Sequence, residues 1–334
     1  MLTLLATITL LLLGLTACSG GDDETPDSGT VNVTGEAGAE PQVELEGTYH
    51  RNGLTSDVLV EGDGETVGQG SNVFVRMLMV NAYDGEVAFS SWRNGNQEFL
   101  TLDDSLPGLT EALINHKVGS RVVIEGNGRN VFGDFGQPSF FISPGDSIVI
   151  VADIMSEIPD LVDADADAAP AGEPKVVLSD DGRPNALDFT DLPTEMPTEA
   201  RVVSLTEGDG PALTEESVMV MRYVGQVWGA EEPFQESFSR PLTADDVRPL
   251  TGYVSGYLAN LPGVKVGSRI LLVLPPAQGY GEEGNPDAGI EGTDTIVFLI
   301  DVLAAYEPTE PVVPEGEEPT EEPSATDPSA SATQ

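Results

Sequence analysis

Short apolar runs separated by turns rich in glycine and proline follow one another along most of the chain. The longest runs cover residues 73–80, 147–154, 218–224 and 295–303, with Val, Ile and Leu at consecutive positions. Because side chains of a strand point alternately to its two faces, such runs predict strands that are buried on both faces. The pattern therefore predicts a β-rich protein.

One segment has the spacing of a helix instead. Val254, Tyr257, Leu258 and Leu261 recur at i, i+3, i+4 and i+7, which places them on one face of a short α-helix. A helix with one apolar face has to bury that face against another element. We therefore expect an α+β fold in which an antiparallel β-sheet curls around a short α-helix, with a pocket between the two.

The same order of signals occurs twice along the chain. A Gly-Asp-Gly turn lies at 62–64 and again at 208–210, each before an apolar strand. The pentapeptide Lys-Val-Gly-Ser-Arg lies at 117–121 and again at 265–269, each leading into another strand. A repeated order of this kind indicates an internal duplication, so we expect two tandem domains.

Composition divides the chain into six parts. We expect a signal peptide at 1–17, an acidic disordered tether at 18–40, a first domain at 41–157, an acidic linker at 158–173, a second domain at 174–306 and a disordered acidic tail at 307–334. The tether, linker and tail are assigned from their Gly, Pro, Asp, Glu and Ser content, since such segments hold too little apolar surface to fold.

The N-terminal segment resembles the signal peptide of a bacterial lipoprotein. Leu2 to Leu15 is apolar and uncharged but shorter than the roughly 20 residues of a transmembrane helix. It leads into Leu15-Thr16-Ala17-Cys18, which is similar to a lipobox. The resemblance implies lipidation of Cys18 and a lipid anchor on the extracytoplasmic face of the cell membrane. The first basic residue is Arg51, which departs from the pattern, and an ordinary buried helix is the alternative.

Charge and cysteine content exclude several functions. The chain has 57 Asp and Glu against 14 Lys and Arg, a formal charge of −43 that repels nucleic acid. Its one cysteine allows no intramolecular disulfide. His50 and His116 are far apart and no Cys/His cluster has metal-ligand spacing, so we expect no metal site. Nothing indicates an oligomerisation surface, and we expect a monomer.

Four short motifs occur in order in the second domain. They are Arg222-Tyr223-Val224-Gly225, Leu261-Pro262-Gly263-Val264-Lys265-Val266-Gly267-Ser268-Arg269, Leu274-Pro275-Pro276-Ala277-Gln278-Gly279-Tyr280-Gly281 and Thr293-Asp294-Thr295-Ile296-Val297-Phe298. In this order and spacing, residues 201–305 resemble an FKBP-type peptidyl-prolyl cis/trans isomerase. The resemblance implies the FKBP fold in both domains, isomerase activity in the second, and no cofactor.

The resemblance also implies the site residues. It gives catalytic roles to Tyr280, Tyr223, Phe234, Tyr257 and Phe298, with the Tyr280 hydroxyl as donor to the bound carbonyl. It gives substrate-binding roles to Gln235, Leu242, Tyr253, Val254 and Ile290. Tyr and Phe also fill ordinary cores, so plain core packing is the alternative for each ring taken singly.

Two departures from the family pattern bear on activity. Gln235 stands where the family has a pocket aspartate, and an amide cannot orient a neighbouring phenol with a full charge. In the first domain the resemblance places Ala88 and Phe89 at the Phe234 and Gln235 positions, and it places Leu78, Leu109 and Phe132 at three further positions of the pocket. We therefore expect weakened activity in the second domain and none in the first.

These features favour a membrane-anchored, extracytoplasmic isomerase that assists the folding of exported proteins. Its expected partners are unfolded or proline-containing exported polypeptides, together with the membrane through the N-terminal lipid, and no nucleic acid. The alternative function is a non-catalytic binding lipoprotein that uses both domains to hold proline-containing segments.

Overall fold

The computed structural model describes residues 26–165 and 169–312, which form two units of the same topology. Each unit is a six-stranded antiparallel sheet with a short helix against one face, as the sequence predicts. The expected signal peptide and Cys18 lie outside the described residues. No helix in the described ranges is long and apolar enough to cross a bilayer.

The first unit begins with a hairpin and continues into its sheet. Its strands are β1 (Ser28–Thr34), β2 (Gln42–His50), β3 (Thr55–Val60), β4 (Asn72–Asn81), β5 (Val87–Ser90), β6 (Glu98–Thr101), β7 (Arg121–Asn127) and β8 (Ser147–Ile158). Its helices are α1 (Ser91–Asn94), α2 (Pro107–Leu113) and α3 (Gly128–Phe132). The sheet order is β3-β7-β8-β4-β5, and β6 also pairs with β4.

The second unit repeats this arrangement. Its elements are β9 (Lys175–Leu178), β10 (Pro184–Asp188), β11 (Arg201–Thr206), β12 (Val218–Val227), β13 (Gln235–Glu236), β14 (Val247–Pro249), α4 (Ser255–Asn260), β15 (Arg269–Leu274) and β16 (Ile296–Tyr306). The sheet order is β11-β15-β16-β12-β13, and β14 also pairs with β12. Strand for strand, β11 to β16 correspond to β3 to β8, and α4 corresponds to α2.

Each sheet is covered on both faces, which explains why its strands are apolar throughout. On the inner face of the second sheet, Tyr257 of α4 packs in one cluster with Leu272 and Ile300. On the outer face, Val176 and Leu187 of the β9–β10 hairpin pack in another cluster with residues of β15 and β16. The β1–β2 hairpin covers the first sheet in the same way.

The repeated pentapeptide has the same structural role in both units. The Ser120 hydroxyl accepts a hydrogen bond from the Gly62 N–H at 3.0 Å, as the Ser268 hydroxyl does from Gly208 at 2.9 Å. The arginine that ends each pentapeptide forms a buried ion pair with the last long strand: Arg121–Asp153 at 2.6 Å and Arg269–Asp301 at 2.5 Å. These pairs cross-link the centre of each sheet.

The boundaries of the expected disordered tether differ from the structure. Residues 28–34, within the expected tether, form β1, because Val31 and Val33 pack on the outer face of the first sheet. The following turn is also fixed, since the Gly38 N–H donates to Asp153 at 3.0 Å.

The expected acidic linker and tail are also ordered in part. Asp160 accepts hydrogen bonds from Arg222 and Arg183, and the Val162 N–H donates to Asp301 at 3.1 Å. Beyond β16, the Thr309 N–H donates to the Gly95 carbonyl of the first unit at 2.8 Å. Asp160 meets the buried Arg222 and the half-buried Arg183, and these charged hydrogen bonds fix this part of the polar segment.

The two units touch through an apolar contact. Phe74 of β4 and Tyr306 of β16 meet edge to face, with ring centroids 5.1 Å apart. Val220, Leu242 and Leu303 belong to the same buried cluster. The linker is therefore not the only connection between the units.

Candidate functional site

A cavity of about 480 Å³ lies between α4 and the concave face of the second sheet, where the pattern of the sequence predicts a pocket. Five aromatic side chains and four charged side chains are among the residues that line it. It is lined by Met221, Tyr223, Gln235, Arg240, Asp245, Asp246, Arg248, Gly252, Tyr253, Val254, Tyr257, Tyr280 and Phe298.

Phe298 of β16 is the centre of the aromatic wall. It contacts Tyr223, Phe234 and Tyr257 edge to face, with ring centroids 6.2, 5.8 and 5.3 Å apart, respectively. Edge-to-face contacts of this kind favour one arrangement of the rings. Because Phe298 is only 5% exposed and fixed in the sheet, it holds the other rings in place.

Gly225 of β12 makes this aromatic packing possible. A Cβ atom at this position would lie 2.6 Å from the Phe234 ring and 2.8 Å from the Phe298 ring. Any side chain here would therefore displace the two rings. The glycine of the Arg-Tyr-Val-Gly motif is required by the close approach of Phe234 and Phe298.

The floor of the cavity comes from α4 and the turn before it. Tyr253 and Tyr257 are stacked, with centroids 4.8 Å apart and an interplanar angle of 14°. Burial raises the pKa of both phenols, that of Tyr257 well above its ordinary value. Burial also raises the pKa of Tyr223 on the opposite wall. These three hydroxyls keep their protons at neutral pH.

Tyr280 reaches the cavity from the loop between β15 and β16. A turn at Pro276–Gln278 precedes it, and the Gly281 N–H closes that turn on the Pro276 carbonyl at 2.8 Å. Asn260 at the end of α4 donates to the Gln278 side chain at 2.7 Å. The loop that carries Tyr280 is thus fixed to the helix that carries Tyr257.

Sequence reasoning missed a charged pair beside the aromatic wall. Arg240 binds Asp246 through both oxygens, with one N–H donating at 2.8 Å. Burial alone would raise the pKa of the Asp246 carboxyl. The hydrogen bonds from Arg240 and from the Thr243 N–H outweigh burial and hold this pKa below its ordinary value. The sequence signal was Thr243-x-x-Asp246, a capping box that the structure forms.

The structure brings most of the expected site residues to one place. Phe234 contacts Phe298 beneath the wall, and these residues line the cavity itself: Tyr223, Gln235, Tyr253, Val254, Tyr257, Tyr280 and Phe298. Ile290 is buried in the core cluster behind the wall and is not a lining residue.

The predicted place of Leu242 in the pocket wall is wrong. It lies in the cluster between the two units and not in the cavity wall. Its segment departs from β13 toward Phe74 of the first unit, so the side chain is buried by the neighbouring domain.

The corresponding place in the first unit is filled by its own side chains. Phe89 and Phe140 are in contact with centroids 4.9 Å apart, and both pack on the core. Met79, which is 1% exposed, stands where the second unit has Gly225, because it pairs with Phe89 as Gly225 pairs with Gln235. The first unit thus has a large side chain at Met79 and a small one at Ala88, whereas the second unit has Gly225 and Phe234 at these two positions.

The strand register corrects one assignment in the first unit. Arg76 pairs with Asp153 as Arg222 pairs with Asp301, so Met77 and not Leu78 corresponds to Tyr223. Leu78 points to the opposite face and packs with Trp92. A shift of one residue along a strand exchanges its faces.

The cavity of the second unit offers apolar walls, phenol hydroxyls and one ion pair. In residues 26–165 and 169–312, no group of three or more His, Cys, Asp or Glu is placed to hold a metal ion. Such a site can bind a compact apolar ring and donate a hydrogen bond to a neighbouring carbonyl. Prolyl peptide bonds present both features.

Comparison with known proteins agrees with this geometry. The family described as FKBP-type peptidyl-prolyl cis-trans isomerase matches residues 210–303. A probable FK506-binding protein of Corynebacterium glutamicum is 34% identical over 118 residues, which are 34% of this chain and 95% of that protein. The FK506-binding protein of Streptomyces anulatus is 28% identical over 110 residues, 33% of this chain and 89% of that protein.

A longer relative matches over the same part of the chain. Escherichia coli FkpA, an FKBP-type peptidyl-prolyl cis-trans isomerase, is 34% identical over 98 residues, which cover 29% of this chain and 34% of FkpA. The Corynebacterium relative, matched over nearly its whole length, is decisive for the family. This chain belongs to the FKBP-type peptidyl-prolyl cis-trans isomerases, and the family match lies within its second unit.

Proposed function

We propose that the second unit isomerises prolyl bonds in exported polypeptides while a lipid on Cys18 holds the chain at the extracytoplasmic face of the cell membrane. The observation that carries the catalytic part is the aromatic cavity centred on Phe298, with the Tyr280 hydroxyl at its edge. Isomerase activity of the FKBP type follows from the family.

The reaction requires rotation about the X–Pro bond, whose barrier is about 18–20 kcal/mol because amide resonance is lost. The proline ring binds in the cavity, against Tyr223 and Phe298 of the wall and Tyr257 of the floor. In the twisted amide the carbonyl is less polar than in the planar one, so an apolar cavity favours the twisted state. No proton is transferred and no covalent bond is made.

Tyr280 supplies the directional part of the mechanism. Its hydroxyl donates to the carbonyl that rotates out of the amide plane, and the loop contact between Asn260 and Gln278 keeps the ring in position. A donor that is already oriented needs no rearrangement at the moment of rotation. The site therefore lowers the barrier through shape and one hydrogen bond.

The catalytic part is tested with an X–Pro peptide whose cis/trans relaxation is followed with the second unit intact in the full chain. We expect acceleration above buffer at micromolar protein. Tyr280→Phe should reduce it about tenfold, since one oriented hydrogen bond is lost. Phe234→Ala should also reduce it, because Phe298 loses a neighbour. No acceleration by the wild-type chain would refute the catalytic proposal, and a Phe234→Ala variant with wild-type activity would refute this placement of the pocket.

The anchoring part rests on the sequence before the described residues. The apolar run from Leu2 to Leu15 and the Leu-Thr-Ala-Cys motif support processing and lipidation at Cys18. One acyl chain binds a membrane weakly, whereas the chains of a diacylglycerol together give a stable anchor. The acidic body is repelled by anionic head groups, so the lipid has to provide the attachment.

Fractionation of the producing cells tests the anchor. Wild-type chain should be found with membranes, whereas Cys18→Ala, made in a chain whose residues 1–17 are replaced by a signal peptide cleaved without that cysteine, should move to the soluble or secreted fraction with both units still folded. The control is Cys18→Ala assayed for isomerase activity, which should be unchanged. Retention of Cys18→Ala on membranes would refute the lipid anchor and leave the catalytic proposal untouched.

A further inference from the structure

Three aromatic side chains of the first unit are almost fully exposed. Tyr83, Phe135 and Phe141 have relative exposures of 90, 86 and 89%. The other large apolar side chains with high exposure in the described ranges are aliphatic and only 38–41% exposed. Aromatic rings in water are unfavourable by the hydrophobic effect, and three of them on one small domain indicate a contact surface.

The three rings lie at the same end of the first sheet. Tyr83 is in the turn between β4 and β5, and the other two are in the loop that precedes β8. The Ala82 N–H donates to the Ser147 carbonyl at 2.8 Å, which joins the turn to the end of that loop. We call Tyr83, Phe135 and Phe141 the aromatic surface.

The second unit serves as an internal comparison. Its Trp228 N–H donates to Thr295 at 2.8 Å as Ala82 does to Ser147, so Gly229 corresponds to Tyr83. The Gln137–Ile142 bridge corresponds to the Asn285–Ile290 bridge. This alignment places Glu283 at the position of Phe135 and Gly289 at the position of Phe141. The fold therefore forms without any of the three aromatic rings.

Phe141 also holds an unfavourable backbone conformation. Its φ is +55°, a left-handed value that non-glycine residues rarely adopt, and the corresponding Gly289 has a φ of +69°. A buried ring could offset such strain by packing, but this ring is 89% exposed. Strain of this kind without compensation in the folded chain occurs at functional positions.

We infer that the aromatic surface binds a non-native polypeptide segment that carries apolar and basic side chains. Asp84 and Glu86 follow Tyr83 in the sequence, and Asp134 precedes Phe135. Arg129 is close but pairs with Asp134 at 3.7 Å. The surroundings are thus apolar and acidic, which suits Lys and Arg on the bound segment through charge and cation–π contacts.

The same charges disfavour a lipid surface as the occupant, because anionic head groups repel an acidic rim. The inference deepens the proposed function. That the bound polypeptide segment is a folding client rests on this proposed function. The first unit, whose own pocket is filled, would hold the client while the second unit isomerises its prolyl bonds. Holding and isomerisation then use separate surfaces and can be tested separately.

The test measures binding of an unfolded basic protein to the full chain. The probe is fluorescently labelled lysozyme, reduced and alkylated with iodoacetamide, and binding is read from anisotropy. The variant Tyr83→Gly/Phe135→Glu/Phe141→Gly takes its residues from the second unit and should bind about tenfold more weakly, as loss of aromatic anchors does elsewhere. Leu178→Gln, another exposed apolar residue, is the matched control and should bind as wild type.

Phe141→Gly alone separates binding from folding. It should weaken binding of the probe and at the same time raise the thermal midpoint of the first unit, because glycine removes the strain at φ +55°. A purely structural role for Phe141 predicts that both quantities move together. Alkylated α-lactalbumin, an acidic relative of lysozyme, should bind more weakly than lysozyme to the wild-type chain.

Two outcomes would overturn the inference. One is wild-type affinity of the triple variant for the lysozyme probe, whether or not that variant loses binding to phosphatidylglycerol vesicles. The other is equal affinity of the wild-type chain for the two probes. Isomerisation of a short X–Pro peptide should be the same in the wild type and the triple variant. A chain that binds the probe but does not isomerise the peptide refutes the proposed function and not the aromatic surface.

Discussion

Arg240 and Asp246 form a two-pronged ion pair at the side of the aromatic cavity, six positions apart in a segment that forms no long element. Both line the cavity, as does Gln235. Burial is the main cause of the raised pKa of the Tyr223 phenol; Arg240 lowers this pKa, and Asp246 raises it further. The pair therefore places a carboxylate, paired with Arg240, in a pocket whose expected aspartate is missing.

This charge changes how the Gln235 substitution is interpreted. The sequence alone indicates that a neutral amide has replaced the group that orients a phenol. In the structure, Gln235 is exposed at the rim, and Asp246 provides a carboxylate on the same side of the cavity. The pocket thus lacks a carboxylate at position 235 but has one at Asp246, which is held by Arg240 and by the Thr243 N–H.

Replacing Asp246 should lower the activity more than the stability. Asp246→Asn leaves Arg240 without its anionic partner and removes the charge beside Tyr223. We expect kcat/KM for an X–Pro peptide to fall about five- to tenfold, corresponding to roughly 1–1.4 kcal/mol of barrier. Stability should fall by only about 1 kcal/mol, as for other lost caps. Relaxation kinetics and urea unfolding on the same preparation measure the two effects.

The matched control for this prediction is the exposed pair Lys265–Glu207 on the far side of the unit. Lys265→Met removes an ion pair of similar length without touching the cavity and should leave kcat/KM unchanged. In a double-mutant cycle, Arg240→Met combined with Asp246→Asn should lose less than the sum of the single changes. Additive losses would show that the two residues act independently.

The effect of an aspartate at position 235 on kcat/KM should depend on whether Asp246 is present. In the wild-type background, Gln235→Asp should raise kcat/KM only a few-fold, because Arg240 already has a carboxylate partner and a second one adds repulsion. In the Asp246→Asn background, the same change should recover most of the lost activity. Macrolide binding should follow the same order. An equal gain in both backgrounds would contradict the view that Asp246 takes over the missing charge.

Much of the fold follows from the sequence because its signals are local. The repeated Gly-Asp-Gly and Lys-Val-Gly-Ser-Arg segments mark turns and strand starts, and the i, i+3, i+4, i+7 spacing marks α4. Tyr223, Tyr257 and Phe298 lie on elements with regular geometry, so their motif positions fix their place in the cavity. The apolar faces of both sheets also required a cover on each side, although the sequence did not show that the β1–β2 hairpin supplies one.

The errors arise where position depends on contacts distant in sequence. Leu78 was placed one residue out of register because a strand that is apolar on both faces has no alternation to fix its phase. The register is seen only in the folded sheet, where Arg76 lies opposite Asp153. Asp246 and Leu242 lie in a segment whose regular structure is a single short 3-10 turn, so only the folded chain shows that one meets Arg240 and the other meets the first unit.

Leu242 should contribute to stability and not to catalysis. It is 5% exposed between the two units, in contact with the cluster that contains Phe74 and Val220. Leu242→Ala should lower the free energy of unfolding by about 2–3 kcal/mol, as for other buried leucines. Activity on a short peptide should stay within about twofold of wild type.

Phe298→Leu is the converse variant, since Phe298 centres the aromatic wall. It should lower kcat/KM strongly. Urea unfolding measures the stability of the Leu242→Ala and Phe298→Leu variants, and peptide relaxation measures their activity. A large loss of activity in Leu242→Ala with unchanged stability would return Leu242 to the wall of the pocket.

The activity should be independent of pH across a wide neutral range. Burial raises the pKa of Tyr223, Tyr253 and Tyr257, so these phenols stay protonated well above neutral pH. The hydrogen bonds from Arg240 and Thr243 hold the pKa of Asp246 below its ordinary value, so this carboxylate is charged throughout the neutral range. A carboxylate whose pKa is depressed by folding adds stability above its unfolded pKa, and this stability is lost as the pH falls through the folded value.

We therefore expect a flat kcat/KM between about pH 5 and 9, with loss of stability only at more acidic pH. NMR exchange of an X–Pro peptide is the suitable measurement, because a coupled protease would add its own pH profile. The uncatalysed rate in each buffer is the control. In Asp246→Asn the acid-side loss of stability should shrink, since one titrating carboxylate is gone. A bell-shaped profile centred near neutral pH would mean that a proton transfer, and not shape and one oriented hydrogen bond, limits the rotation.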